Sequence, residues 1–317
     1  MRRLVIGTRG SPLARWQAKH IGALLTEVCE GLQVTLRVIK TLGDEDRKTF
    51  PAALGAKGIF VKEIEAALLD GRIDLAVHSV KDLPGELAAG LALGAIPTRD
   101  DPRDALVSSG GRTLQELPQG AWLGTAAVRR RAQLLRVRPD LHFRMMRGNV
   151  GTRILKVRNG EVDGVVLAVA GLQRLGEREA SWQPLPVEVC LPAPGQGALG
   201  VQARAADEDL LPLLRRIDDL RSRREVTAEK TVMAALEAGC LAPLGVLARH
   251  RSGRLRLTAR VISPEGRDLV QEELEGDPGD FQRLGGEVAA RLEKQGASEL
   301  LRRGRARPAG WDGRPDD

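Results

Sequence analysis

Short apolar runs alternate with amphipathic stretches through the first two-thirds of the chain. Leu4-Val5-Ile6 predicts a buried strand, followed by Gly7-Thr8-Arg9-Gly10 and then Ser11-Pro12. Serine before proline is a good N-cap and first-turn pair. Leu13, Trp16, Ile21, Leu24 and Val28 form the apolar stripe of the helix this predicts, and Val34, Leu36 and Val38 alternate as a second strand. A helix over Ile59–Leu69 follows, with Phe60, Ile64, Ala67 and Leu68 inward. Leu75 to Val77 reads as another buried strand, ending in His78-Ser79-Val80-Lys81-Asp82 before Pro84. Polar residues at the carboxyl end of a strand in an open α/β sheet are where ligands bind. A lysine–aspartate neighbour pair is also an ordinary solvated turn. The glycine turn before the first helix is a ready anion site into which Arg9 and Ser11 would point.

The pattern then repeats. Trp122-Leu123-Gly124-Thr125 echoes Val5-Ile6-Gly7-Thr8, and Gly160-Glu161-Val162-Asp163 echoes Gly71-Arg72-Ile73-Asp74, at offsets of 117 and 89. The reading is two α/β lobes of similar plan facing each other across a cleft. The crossings between them are expected near 97–103 and at Leu191–Ala198, a two-strand hinge of the kind that permits closure. The last third differs. Ser222-x-x-Glu225 has capping-box spacing and opens a helix expected to reach about Ala238. Gly239-Cys240-Leu241-Ala242-Pro243 stops it. Alternation at Leu255, Leu257, Ala259 and Val261, then helical spacing at Phe281, Leu284, Val288 and Leu292, give a small α+β domain. The expected limits are 1–97 with 197–216 for the first lobe, 98–196 for the second and 217–302 for the third domain. The Arg/Gly/Pro/Asp-rich residues 303–317 are expected to be disordered.

Composition narrows the chemistry. The formal charge is +7, so an anionic partner is indicated. Aromatics are only 3% and tyrosine is absent, which weighs against single-stranded nucleic acid. The three cysteines are widely spaced with no CxxC, so neither a disulfide framework nor a zinc site is suggested. With no signal-peptide pattern and no apolar run of spanning length, a cytoplasmic protein off the membrane is expected, and no long apolar stripe calls for more than a monomer. Between Arg129 and Arg153 there are eight arginines and one acidic residue, Asp140. Such a run is a solvated face, a nucleic-acid footprint or a pocket for an acidic small molecule. Its arginines fall where strands give way to helices, at Gly124-Thr125 and at Arg147-Gly148-Asn149, and that favours the pocket. Cys240, on a turn, is either an inert thiol or a nucleophile favoured by nearby cations. The stretch from Thr41 to Gly58 is either an active-site lid or a surface loop.

Ten motifs carry a family resemblance: IGTRGSPLA, GAKGIFVKEIE, DLAVHSVKDLP, DPRDA, GT..VRR, RPDL, RGNVGTR, LAVAGLQRLG, LPAPGQGA and LEAGC.AP.G. In this order, from residue 6 to residue 245, they resemble the porphobilinogen deaminase (hydroxymethylbilane synthase) family. The resemblance implies two periplasmic-binding-protein-like lobes plus a third domain. It implies a transferase that joins four porphobilinogen molecules head to tail with loss of ammonia. The product, hydroxymethylbilane, would grow on a dipyrromethane cofactor held by a thioether to Cys240. Asp82 matches the catalytic aspartate. Asp44, Lys57, Ser79, Lys81, Thr125, Ala127, Arg129, Arg130, Gly148, Asn149 and Arg153 map to cofactor binding. Arg9, Ser11, Arg147, Arg153, Arg174 and Gln196 map to substrate binding. Each pyrrole brings two carboxylates, so many guanidinium groups are required. One departure stands out: Ala126-Ala127 replaces the two serines usual after the glycine-threonine, so weaker or rearranged cofactor contact is expected. A solute-binding protein of the same plan, and a nucleic-acid binder, are the competing readings; neither uses Cys240.

Overall fold

The computed structural model describes residues 3–41, 61–177, 181–239 and 242–305. The first sheet has the order β2-β1-β3-β10-β4, with β1 Arg3–Thr8, β2 Gln33–Val38, β3 Leu75–Ser79, β4 Leu91–Ala95 and β10 Leu199–Arg204. The second has the order β7-β6-β8-β5-β9, with β5 Asp104–Ser108, β6 Trp122–Gly124, β7 His142–Arg144, β8 Gly164–Ala168 and β9 Trp182–Pro184. In each sheet the first three strands are parallel, and the fourth runs antiparallel to both its neighbours. The fourth strand of each lobe comes from the far side of a crossing. β5 follows the first crossing into lobe 2, and β10 follows the second crossing back into lobe 1. The anticipated duplication is therefore present down to one hydrogen bond. Asp74 accepts from Val5 N at 2.7 Å, and its counterpart Asp163 accepts from Trp122 N at 2.7 Å.

Helices cover both faces of each sheet. In lobe 1, α1 Pro12–Val28 packs Ala18, Ile21 and Leu25 onto Ile6, Leu75 and Val77. The buried stripe is thus centred on Ala18 and Leu25, and the expected Trp16 lies at its edge, half-buried. On the opposite face α2, Lys62–Leu69, buries Ile64, Ala67 and Leu68 as expected. Ile59 and Phe60 lie outside the described residues. In lobe 2 the helices are α3 Val128–Val137, α4 Val150–Arg158 and α5 Val169–Leu175; α6, Leu210–Arg215, closes lobe 1 behind β10.

The third sheet is an antiparallel meander of β11 Leu244–Arg251, β12 Arg254–Ile262 and β13 Leu269–Gly276. One face is covered by α7 Leu220–Ala235, α8 Phe281–Lys294 and α9 Ala297–Arg305. The α9 helix runs into the stretch expected to be disordered from residue 303. The alternating Leu255, Leu257, Ala259 and Val261 are fully buried, as period-2 patterning requires.

The start and end of α7 differ from expectation. Its N-cap is Asp219, which accepts from Ser222 N at 2.7 Å. Ser222 and Glu225, read as a capping box, sit inside the helix. Their side chains accept from Arg99 N and His250 N instead, so tertiary contacts claim them. The helix stops at Ala235, not near Ala238. Ala238 N reaches Met233 O and Glu237 N reaches Ala234 O, a Schellman closure. The left-handed position falls on Glu237 at φ 47°, not on a glycine.

Candidate active site

In lobe 1 the end of β3 passes into a single 3₁₀ turn, Val80–Asp82. Ser79 Oγ accepts from Gln17 Nε2 of α1 at 2.9 Å, and Val80 N donates to Ala198 O at 3.0 Å. Asp82 stands exposed at the tip. The Lys81 residue is half-buried overall, but its ammonium turns inward and donates to Gln196 Oε1 at 3.2 Å. Burial, then the nearby Arg130 charge, pull this ammonium down to about 8; the ammonium's own burial governs that shift, whatever the stem exposes. Behind it His78 is buried against Gln202 at 3.0 Å, and burial lowers it to about 4, leaving it neutral at pH 7. Ser11 caps α1, its hydroxyl accepting from Ala14 N at 3.2 Å, with half-buried Arg9 just before it.

In lobe 2 the first residue of β5, Asp104, is fully buried and is a hub. Arg129 Nη1 donates to one carboxylate oxygen at 2.7 Å, and the Cys190 thiol donates to the same oxygen at 3.3 Å. Arg130 Nε and Nη2 grip the other oxygen at 2.9 and 2.7 Å, while its Nη1 donates to Val166 O. Gln196 Nε2 adds a further bond at 2.9 Å. Burial pushes the Asp104 carboxyl up, but the two guanidinium charges outweigh it and hold the group well below the usual carboxylate range. The same burial, with the Asp104 charge, pushes the Cys190 thiol up to about 12, so it is a protonated donor and not a nucleophile.

Gln196 joins the lobes. Its amide reaches Lys81 in lobe 1, and Asp104 and Pro102 O on the way into lobe 2. Arg174, at the end of α5, donates to Asp100 at 2.8 Å and to Gly197 O at 2.7 Å, so it binds both crossings of the hinge. Gly197 has φ +87°, and a Cβ there would lie 2.5 Å from Asp100 O, so the crossings approach this closely only because it is glycine. Beneath them Glu229 of α7 accepts from Arg99 through both oxygens, at 2.7 and 3.0 Å, and from Gly195 N and Ala248 N. Burial pushes this carboxyl up, yet four N–H donors around two oxygens fit the anion.

Hydrogen bonds thus link Lys81, Arg129, Arg130 and Gln196 into one cluster, with Arg174 on the same hinge. Thr125, also buried, accepts from Ala127 N at 3.2 Å, and Ala127 occupies the N-cap of α3 without a side-chain bond. Arg147, Gly148 and Asn149 precede α4 at the neighbouring strand end. Gly148 sits at φ +105°, and Arg153 N donates to Asn149 O. Asp44, Lys57 and Cys240 lie outside the described residues. Much of the arginine run serves other ends. Arg131 and Arg136 donate to Pro264 O and Arg267 O of the third domain, and Arg138 holds Asp140 and Leu114 O. Arg144 donates to Glu161 O. Sequence reasoning missed Asp104 as the hub and missed Glu229 altogether; the first of these lies in the DPRDA motif.

The cluster suits an acidic ligand. Three buried or inward-facing cations, Lys81, Arg129 and Arg130, surround one carboxylate, which leaves an excess of positive charge. Ligand carboxylates would neutralise it. Among the described residues no group of His, Cys, Asp and Glu is placed to hold a metal, and no helix is long and apolar enough to cross a membrane.

Comparison with known proteins agrees with this chemistry. Residues 4–212 match the family model for the porphobilinogen deaminase dipyrromethane cofactor binding domain, and residues 223–294 match the model for the porphobilinogen deaminase C-terminal domain. The porphobilinogen deaminase of Pelotomaculum thermopropionicum is 45% identical over 304 residues, covering 96% of this chain and 97% of that protein. That of Desulforudis audaxviator is 48% identical over 305 residues, covering 96% and 99%. Among solved structures, the VFT2 domain of Bordetella pertussis BvgS aligns with 68% of this chain and 85% of that chain at 16% identity and a TM-score of 0.42, too distant to bear on the chemistry. The chain belongs to the porphobilinogen deaminase family.

Proposed function

We infer that this protein is a hydroxymethylbilane synthase: it polymerises four porphobilinogen molecules head to tail, releases ammonia each time, and frees the linear tetrapyrrole by hydrolysis. The observation that carries the reading is the Lys81–Gln196–Asp104–Arg129–Arg130 cluster at the mouth of the hinge, inside a matched dipyrromethane-binding domain. When bound, the dipyrromethane supplies the primer on which the chain is extended. Cys240, which follows α7 in the sequence, is the residue we assign to its thioether.

The chain's own groups divide the work. Lys81, Arg129, Arg130 and Arg153 bind carboxylates of the cofactor, aided by Ser79, Thr125 and backbone N–H groups at Ala127, Gly148 and Asn149. Lys57 belongs to the same set by its motif, and Asp44 by the family resemblance of the loop that holds both. Arg9, Ser11, Arg147, Arg174 and Gln196 serve the incoming substrate. For Arg174 and Gln196 the geometry supports service through the hinge, because both are already committed to it. Asp82 is exposed at the tip of its turn, next to Lys81 in the chain. Its carboxylate stabilises positive charge as it develops on the reacting rings. Three widely spaced cysteines fit a reducing cytoplasm.

The test is the intact mass of the denatured protein. A gain equal to two porphobilinogen-derived units, absent in Cys240→Ser, is expected, with ammonia released on incubation with porphobilinogen. No added mass and no ammonia after incubation would defeat the reading in favour of a two-lobed binding protein.

A further inference from the structure

The turn that carries Asp82 is held at three places, twice by the second crossing and once by α7. Val80 N donates to Ala198 O of the second crossing, and Lys81 Nζ donates to Gln196 Oε1 of the hinge. Just past Asp82, the carbonyl of Leu83 accepts from Lys230 Nζ at 2.6 Å. Leu83 is buried and closes the turn itself, its N–H reaching Val80 O at 3.1 Å. Lys230 is half-buried on α7, and its ammonium is steadied 3.9 Å from Met233 Sδ. The next turn of α7 continues the contact: a Cβ on Gly85 would stand 3.5 Å from Ala234 Cβ and 3.7 Å from Met233 Cε.

This helix ends at Ala235 and closes through Glu237 and Ala238, shortly before Cys240 in the sequence. One helix therefore touches the Asp82 turn on its side and precedes Cys240 in the sequence. The Asp82 turn belongs to lobe 1 and α7 to the third domain; Val226 of α7 shares a buried cluster with Val80, Ile96 and Ala198 before Asp82, and Lys230 adds the contact just past it.

We propose that Lys230 is a positioning residue for the reaction: by pinning the Leu83 carbonyl to α7, it sets the direction of the Asp82 carboxylate. A charge-assisted bond to a carbonyl one residue beyond Asp82 constrains the direction in which that carboxylate points, because the turn has only three residues to absorb a shift. The inference rests on the reading of Asp82 as the catalytic group.

The test is a double-mutant cycle on the cofactor-loaded enzyme, with Lys230→Met, Lys230→Arg, Asp82→Asn and the Lys230→Met/Asp82→Asn double variant. Methionine keeps the length of the stem and removes the donor. Lys230→Met should lower kcat about tenfold, the scale of one mispositioned charge-assisted contact. KM, cofactor mass and melting temperature should stay close to wild type, and Lys230→Arg should recover most of the loss. The double variant should turn over no more slowly than Asp82→Asn alone, since the lysine acts through the aspartate. An unchanged kcat in Lys230→Met would overturn the proposal. So would a loss that multiplies with that of Asp82→Asn, or one that tracks a fall in melting temperature and is not recovered by arginine. Near-normal turnover in Asp82→Asn would instead remove the reading of Asp82 on which the proposal stands. A crippled Asp82→Asn beside a normal Lys230→Met would remove the proposal alone.

Discussion

The two lobes share one backbone plan and almost none of their chemistry. In the register set by the Asp74 and Asp163 hydrogen bonds, Ser79-Val80-Lys81-Asp82 of lobe 1 corresponds to Ala168-Val169-Ala170-Gly171 of lobe 2. Across the sheet the assignment is reversed. Ser79 pairs with Leu199, whereas Ala168 pairs with Asp104. Each lobe is thus charged at a strand end where the other is apolar, and Gln196 brings the two charged ends together. A repeated sheet supplies two facing rims at no cost in new topology. Function then comes from making the rims complementary and not alike.

The sharpest way to break this comparison is to give lobe 2 the residue of lobe 1. Asp104→Leu copies Leu199 but strands the buried Arg129 and Arg130 without their carboxylate. Removing one partner of a buried ion pair costs about 3–5 kcal/mol, so the urea midpoint should fall heavily. A loss below about 1 kcal/mol, the ordinary range for surface changes and pairs, would show that the guanidinium groups are as content with water or ligand as with Asp104.

Asp82→Asn comes next. The side chain is exposed at the tip of its turn, so stability should be unchanged and the cofactor mass retained. Turnover should fall about 10²–10³-fold, the usual effect of losing one preorganised charge-stabilising group. Quenched-flow measurement of ammonia release in a single turnover would separate this loss from product release. A normal first turnover would transfer the chemistry away from lobe 1.

The lobes themselves were legible because periodic apolar runs and paired Gly-Thr and Gly-x-x-Asp signals report local structure. Asp74 and Asp163 repeat both in sequence and in bonding. The hub was not legible. Asp104 looks like one acid in an acidic linker, and its partners lie 25, 26 and 92 residues away. Glu229 sits in a helix with no apolar stripe to mark it, and it meets Arg99 130 residues distant. The arginine run was overread as a single pocket. Arg131, Arg136, Arg138 and Arg144 hold carbonyl groups within the protein, and spacing alone cannot tell a guanidinium aimed at a ligand from one aimed at a neighbouring domain. The capping box failed for a related reason: Ser222 and Glu225 have the spacing, but Asp219 reaches the free N–H groups first.

A smaller effect sharpens the contrast between Lys81 and its silent counterpart Ala170. With its ammonium lowered from 10.5 to about 8, Lys81 binds a proton less readily in the native chain than in the unfolded one. Between these values the unfolded state holds more protons, so the cofactor-free protein should gain stability from this group as pH rises, by at most about 1.4 kcal/mol per pH unit. Lys81→Met should lack that gain, and urea titrations of the two cofactor-free proteins from pH 7 to 10 would show it. In the loaded enzyme, carboxylates beside Lys81 raise its affinity for the proton, so the gain should shrink or change sign. The same upward slope with and without cofactor would place the ligand's carboxylates elsewhere.

The smallest change restores a likeness. In lobe 1 Ser11 caps α1 by accepting from Ala14 N; in lobe 2 Ala127 holds the same N-cap position of α3 with extended backbone and no side-chain bond. Ala127→Ser should therefore stabilise the protein by about 1 kcal/mol through the cap alone, read as a higher urea midpoint in cofactor-free and loaded protein alike. Cofactor retention, followed by mass after dilution into mild denaturant, is a separate reading of the same variant. A gain in stability with unchanged retention means that Thr125 and the helix-end N–H groups already satisfy the ligand, and the hydroxyl serves only the helix. A gain in retention without the stability increment means that the serine turns from the helix to a carboxylate. Lobe 2 would then have given up a ligand contact, not merely a cap, where its sequence departs from the family.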